Sequence, residues 1–161
     1  MFAANASTLV LLAKVRCLEV FMELSPVIEI PIQVKDKIFQ KDTYDAKLIE
    51  KLIQEKKIRP LPVKKPQIYA IMSQFRLDEG EAAAYILFDK KRHKALLTDD
   101  GELIKLCKLE GVPFACAMAI IIRLFEKKKL SKEETLRKLE ELHTIGRYSK
   151  ELYEHFKAEV G

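Results

Sequence analysis

The chain has 161 residues, 48% hydrophobic and 33% charged, with 5 Gly and 6 Pro, a composition that excludes disordered and collagen-like polymers. Its longest uncharged stretches, 1–13 and 112–122, fall short of the ~20 residues of a spanning helix, and no basic segment precedes the first apolar run. Neither a membrane segment nor a signal peptide is therefore expected, and a cytoplasmic location is. The net charge of +5 arises wholly in residues 35–65, where 10 Lys and Arg face 5 Asp and Glu. Such a surplus reads either as a solvated helix face or as a phosphate-contacting surface. The bias toward Lys and Glu resembles hyperthermophile usage.

In chain order, Phe2–Ala4 is a short apolar strand, and 7–24 reads as one helix with Leu9, Leu12, Val15, Leu18 and Met22 near 3.6 spacing. Pro26 punctuates, and the β-branched VIEIPIQV (27–34) reads as a strand. Residues 37–57 read as a helix whose stripe is Leu48, Ile49, Leu52 and Ile53. A short extended piece, 58–63, follows, then helices over 67–75 and 79–88. ALLTDD is a buried strand ending in acids; GELIKLCKLEG is a helix and VPFACA a strand. Helices over 119–128, 132–143 and 149–159 finish the chain, the middle one opened by a Ser131–Glu134 capping box.

Strands alternating with helices predict an α/β three-layer sandwich with a mostly parallel central sheet. One domain is expected over 1–161, with a C-terminal helical extension, 130–161, packed on it. Cys17, Cys107 and Cys116 lie in apolar surroundings without CxxC spacing, so they are expected as unpaired, buried thiols.

In open parallel sheets the functional crevice lies beyond the carboxyl ends of the strands. Read there, the chain offers Asn5, Ser7 and Thr8, then Lys35, Asp36 and Lys37, then Thr98, Asp99 and Asp100, with Asp78, Glu79 and Glu81 at a helix start. Acids gathered at one sheet edge repel one another unless a cation neutralises them, and hard oxygen donors suit Mg²⁺ or Mn²⁺. Each also reads as ordinary helix capping. Asp99-Asp100-Gly101 is a helix N-terminus in sequence terms, and Glu81 stands at capping-box spacing from Asp78. Glu79 and Glu81, two apart on a helix, cannot face the same way.

Taken together, NASTLVLLAKVRCLEVF, IPIQV, GEAAAYILF, LLTDDGELIKLCKLEGV and LEELHTIGRYSKELYE resemble the PIN-domain family, in particular its archaeal and bacterial toxin-like group. The resemblance implies a Mg²⁺- or Mn²⁺-dependent endoribonuclease acting on RNA, with an antitoxin partner and a homodimer as further expectations. Carried over residue by residue, it implies site residues Asn5, Asp36, Glu81, Asp99 and Asp100. Glu81, Asp99, Asp100 and Asn5 would hold the metal, Ser7 and Thr98 would support them, and Lys56, Lys57 and Lys64 would contact RNA.

Two positions depart from the family pattern. The first carboxylate falls on Asn5, an amide and therefore a weaker ligand for a hard dication. The V-x-x-E pattern, set by Val34, puts Lys37 where the second acid belongs, leaving Asp36 adjacent. These changes move the local charge by about +3. Three readings follow: a metal-dependent ribonuclease, a PIN fold surviving as an RNA-binding or protein-interaction module, and an assembly protein whose interface is 118–122.

Overall fold

The computed structural model describes residues 1–25 and 27–161, so the turn expected at Pro26 lies outside the described residues. The strands are β1 (Phe2–Ala4), β2 (Ile28–Pro31), β3 (Ile58–Leu61), β4 (Leu96–Leu97) and β5 (Phe114–Ala115), in the order β3-β2-β1-β4-β5. Every pairing among them is parallel, with Ala3 beside Glu29 on one side and Leu96 on the other. Alternation along these short strands feeds two cores. Ala4, Leu97, Ile28 and Ile30 face one; Ala3 and Leu96 face the other.

The first core is covered by α1 (Ala6–Lys14), α2 (Leu18–Leu24), α3 (Ile32–Phe39), α4 (Tyr44–Gln54) and α8 (Ala117–Glu126). The second is covered by α5 (Lys65–Gln74), α6 (Glu79–Leu87) and α7 (Gly101–Glu110). Helices on both faces of a parallel sheet make the expected α/β sandwich. α9 (Lys132–Ile145) and α10 (Lys150–Val160) pack on α8. They bury Met118, Ile120, Ile121 and Ile122, so the 118–122 stretch is core and not an interface.

Three expected elements differ. The helix over 7–24 is two, because Arg16 turns left-handed at φ 60° and the Cys17 N–H reaches back to the Leu12 carbonyl at 2.9 Å. That bond closes a Schellman turn. Lys56 (φ 61°) ends α4 the same way, and Gly111 (φ 68°) ends α7. Residues 27–34 are strand only to Pro31; Ile32, Gln33 and Val34 open α3, although Ile32 and Val34 are β-branched. The helix over 37–57 divides between Phe39 and Tyr44, where the Thr43 hydroxyl caps α4.

Cys17, Cys107 and Cys116 are unpaired and buried, and burial pushes each thiol up to about 11. Ser131 and Glu134 form their capping box.

Candidate functional site

β1 has β2 on one side and β4 on the other, so strand order reverses across it. The crevice at such a switch point lies beyond the carboxyl ends of β1 and β4. Asn5 ends β1 and, as the N-cap of α1, accepts the Ala6 N–H at 2.8 Å through Oδ1. Its amide Nδ2 stands 3.4 Å from both Ser7 Oγ and Thr98 Oγ1. Asn5 and Thr98 are buried, and Thr98 Oγ1 also accepts the Asp100 N–H at 3.1 Å. The expected supporting hydroxyls thus do gather around Asn5.

The acids divide into two groups. Asp99 is not among the charges that act on Glu81 and is bonded by three other segments of the chain. Its Oδ1 accepts the Thr8 hydroxyl at 2.5 Å and the Ala117 N–H at 2.9 Å. Its Oδ2 accepts the Tyr148 hydroxyl, and its N–H donates to Ser7 Oγ at 2.9 Å. Burial raises the Asp99 carboxyl, and the bonds from Thr8, Tyr148 and Ala117 oppose that rise. Burial and the Asp99 charge push the Tyr148 phenol far above its ordinary range.

Asp100 instead caps α7, accepting the Leu103 N–H at 2.8 Å, and its carboxylate lies beside Glu81. Glu81 completes a capping box with Asp78 at the start of α6: Glu81 N–H to Asp78 Oδ1 and Asp78 N–H to Glu81 Oε1, both 2.8 Å. Burial, joined by the charges of Asp78 and Asp100, pushes the Glu81 carboxyl up to about 7 against the lowering bond from the Asp78 N–H.

Lys37 enters this second group from α3. Its Nζ stands 2.6 Å from Asp78 Oδ2. Burial of Lys37 lowers its basicity, but Asp78, Glu81 and Asp100 outweigh that and raise it. Burial of Asp78 is outweighed in turn by Lys37 and by the Glu81 N–H, which hold its carboxyl below the usual range. α3 packs against α6 at Gly80, where a Cβ would stand at ordinary contact distance from Asp78 Oδ1 (3.5 Å), Val34 Cγ2 (3.6 Å) and Lys37 Cδ (3.9 Å). Val34 and Lys37, three residues apart, share the face of α3 that meets α6.

Outside this pair opens a cleft of about 500 Å³, lined by Gln33, Asp36, Lys37, Lys65, Asp78 and Glu79 among others. Asp36 lies on this outer wall and does not join Glu81 and Asp100. The expected RNA-contacting lysines are parted. Lys57 immediately precedes β3, with Lys56 before it, whereas Lys64 follows the strand, so ~13 Å of extended chain separates them. Lys57 also pairs with Glu55 at 3.4 Å. Lys65, next to Lys64, lines the cleft; Lys56 and Lys57 stand at the other end of β3.

The Mg²⁺ or Mn²⁺ centre implied by the family resemblance does not fit this donor set. The Asn5 oxygen caps a helix, both Asp99 oxygens hold donors, Glu81 closes a capping box, and an ammonium stands against Asp78. Among the described residues, no three His, Cys, Asp or Glu side chains are arranged to hold a metal ion.

Sequence reasoning missed Tyr148 and gave Thr8 and Lys65 no role of their own. Tyr148 lies within the stretch that carries the family resemblance, but its partner is 49 positions away. No local pattern links them.

Among the described residues, no helix is long and apolar enough to cross a membrane. A comparison with curated proteins finds no match. A family model described as a PIN domain, a group of nucleases that generally use divalent metal ions, matches residues 1–161. With that match over its whole length and the sandwich that carries these strand-end residues, the chain belongs to the PIN-domain family.

Proposed function

We propose that this PIN domain binds RNA and has given up metal-dependent cleavage. The observation that carries the reading is Lys37: its ammonium lies 2.6 Å from Asp78, and Asp78 first, then Glu81 and Asp100, raise its basicity against the burial that lowers it. A positive side chain tethered there repels a dication from the neighbouring acids Glu81, Asp78 and Asp100. RNA remains the favoured ligand because the chain's surplus positive charge lies in 35–65, and part of it, Lys65 with Lys64 beside it in sequence, stands at the cleft. The homodimer and a protein partner of antitoxin type belong to the same proposal and rest on the family resemblance.

Fluorescence-polarisation binding of a single-stranded RNA across a salt series tests this. Affinity should fall with salt, each phosphate contact contributing roughly −0.7 to the log–log slope. Lys64→Glu with Lys65→Glu should flatten that slope, whereas Lys56→Glu with Lys57→Glu, at the far end of β3, should leave it nearly unchanged. Incubation with Mn²⁺ should leave the RNA intact. Cleavage that is lost in Glu81→Gln or Asp100→Asn would overturn the proposal in favour of the metal-dependent ribonuclease, with those two acids as its core. No binding even at low salt would make the basic surplus a solvated face.

A further inference from the structure

Asp99 is the acid that the family pattern offers to a metal, yet its carboxylate is held by three separate parts of the chain. Thr8 comes from α1, the Ala117 N–H from the start of α8, and Tyr148 from the connector between α9 and α10. The first two belong to segments that follow strands β1 and β5. Tyr148 alone arrives from the C-terminal helical pair. Its ring is seated by a second feature of that connector: a Cβ on Gly146 would lie 2.7 Å from Tyr148 Cε2 and 2.8 Å from the Leu142 carbonyl oxygen. Only glycine leaves that space to the ring. A half-buried phenol with its hydroxyl on a half-buried carboxylate is thus a built contact, set by a residue two positions away and reaching 49 positions back.

We propose that Tyr148 is a latch: the positioning residue through which the α9–α10 pair holds the Asp99 carboxylate out of the crevice. While the pair is docked, Oδ2 is occupied by the phenol and Oδ1 by Thr8 and Ala117, so Asp99 offers no free oxygen to a cation. Removing the hydroxyl frees Oδ2 while leaving the strand-end contacts in place. The latch concerns the architecture of the site and not its ligand, so a chain indifferent to RNA would still show it.

The chain contains no Trp and 5 Tyr, so tyrosine emission can be read directly. Excitation of a phenol bonded to a carboxylate allows proton transfer, and the wild-type protein should show a long-wavelength, tyrosinate-like component. Tyr148→Phe should abolish it, and so should Asp99→Asn, which keeps the phenol but removes the carboxylate. Gly146→Ala should also abolish it by displacing the ring with the hydroxyl retained. Calorimetric titration with Mn²⁺ alone supplies the second readout. Affinity should rise by roughly threefold to tenfold in Tyr148→Phe, because hard dications respond to each added carboxylate oxygen, and the rise should vanish in Tyr148→Phe with Asp99→Asn. A merely structural tyrosine would lower stability without raising cation affinity. Unchanged emission in both Tyr148→Phe and Asp99→Asn, or Mn²⁺ affinity that does not rise in a folded Tyr148→Phe, would overturn the latch. If Tyr148→Phe fails to fold, Gly146→Ala carries both readouts.

Discussion

Glu29 and Glu81 are both buried acids on the same side of one sheet, and the chain treats them in opposite ways. Glu29, in β2, is fully compensated. Its Oε2 accepts Arg92 at 2.5 Å and its Oε1 stands 2.7 Å from His93 Nε2. His93 Nδ1 accepts the Asp89 N–H at 3.0 Å, so the proton lies on Nε2 and is donated to Glu29. Both carboxylate oxygens of Glu29 and both ring nitrogens of His93 have partners, and the loop between α6 and β4 is stapled to the sheet. Glu81, in the crevice, has Asp100 beside it, and its carboxyl is pushed up to about 7. A compensated buried charge organises the fold. An acid left beside another acid is held against its own charge, and such groups cluster at functional sites.

The comparison can be broken first at Glu29. Glu29→Ala leaves a buried imidazole donor and a guanidinium without their acceptor. Removing one partner of a buried ion pair typically costs ~3–5 kcal/mol. Urea unfolding should show a loss of that size with the slope unchanged. A loss below ~1 kcal/mol would mean that water already compensates the cluster, and the contrast with Glu81 would collapse.

Much of the architecture is legible because the strand–helix alternation is legible, and the misreadings have local causes. Residues 7–24 look like one helix because Leu12, Val15 and Leu18 keep helical spacing across the break; both halves bury into the same core. The left-handed turn at Arg16 is invisible because no glycine announces it, whereas Gly111 does announce the end of α7. Ile32 and Val34 look like strand, but Val34 packs toward Gly80 of α6, and that tertiary contact decides. At the site, Asn5, Thr98, Glu81 and Asp100 could be read from strand ends and capping spacing. That Asp99 and Asp100 part company could not. Adjacent residues point to different sides, and which one faces Glu81 depends on Thr8, Ala117 and Tyr148, contributed from far along the chain.

A smaller effect sharpens the other half of the comparison. Glu81 has its folded-state carboxyl raised from 4.5 to about 7, so the folded chain binds the proton more tightly than the unfolded one. Its contribution to stability is fully present below the unfolded value and is lost as pH rises toward 7; above that it stays lost. The full shift would be worth ~3 kcal/mol, and water in the open crevice reduces it to ~1–2 kcal/mol. Glu81→Gln keeps an oxygen for the Asp78 N–H and removes the ionisation. At pH 8 the variant should therefore be more stable than wild type by ~1–2 kcal/mol, and at pH 4 the gain should be absent. Thermal unfolding at the two pH values reads the difference. Replacing Glu29 by Gln should never stabilise, because that carboxylate has its cation.

The smallest expected effect belongs to Lys37. Its pair with Asp78 is short, but the two side chains are 49% and 45% exposed, whereas Glu29 is 3% exposed beneath Arg92. Half-exposed ion pairs contribute ~0–1 kcal/mol, because water screens the attraction and two side chains must be held still. Lys37→Met keeps the aliphatic stem against Gly80 and removes only the charge. The variant should unfold within ~1 kcal/mol of wild type near pH 7, and raised salt should shrink even that difference. Its second consequence runs against its first. Without the ammonium, Glu81 and Asp100 lose a positive neighbour, so the Glu81 carboxyl should rise further and stability should fall more steeply between pH 5 and pH 8 than in wild type. A pH series of melting temperatures for Lys37→Met separates the two possibilities. A small loss that grows with pH means that Lys37 serves as the crevice's resident counter-ion. A uniform loss as large as that of Glu29→Ala would mean that Lys37 and Asp78 form a structural staple of the same kind, and the two regions would no longer differ.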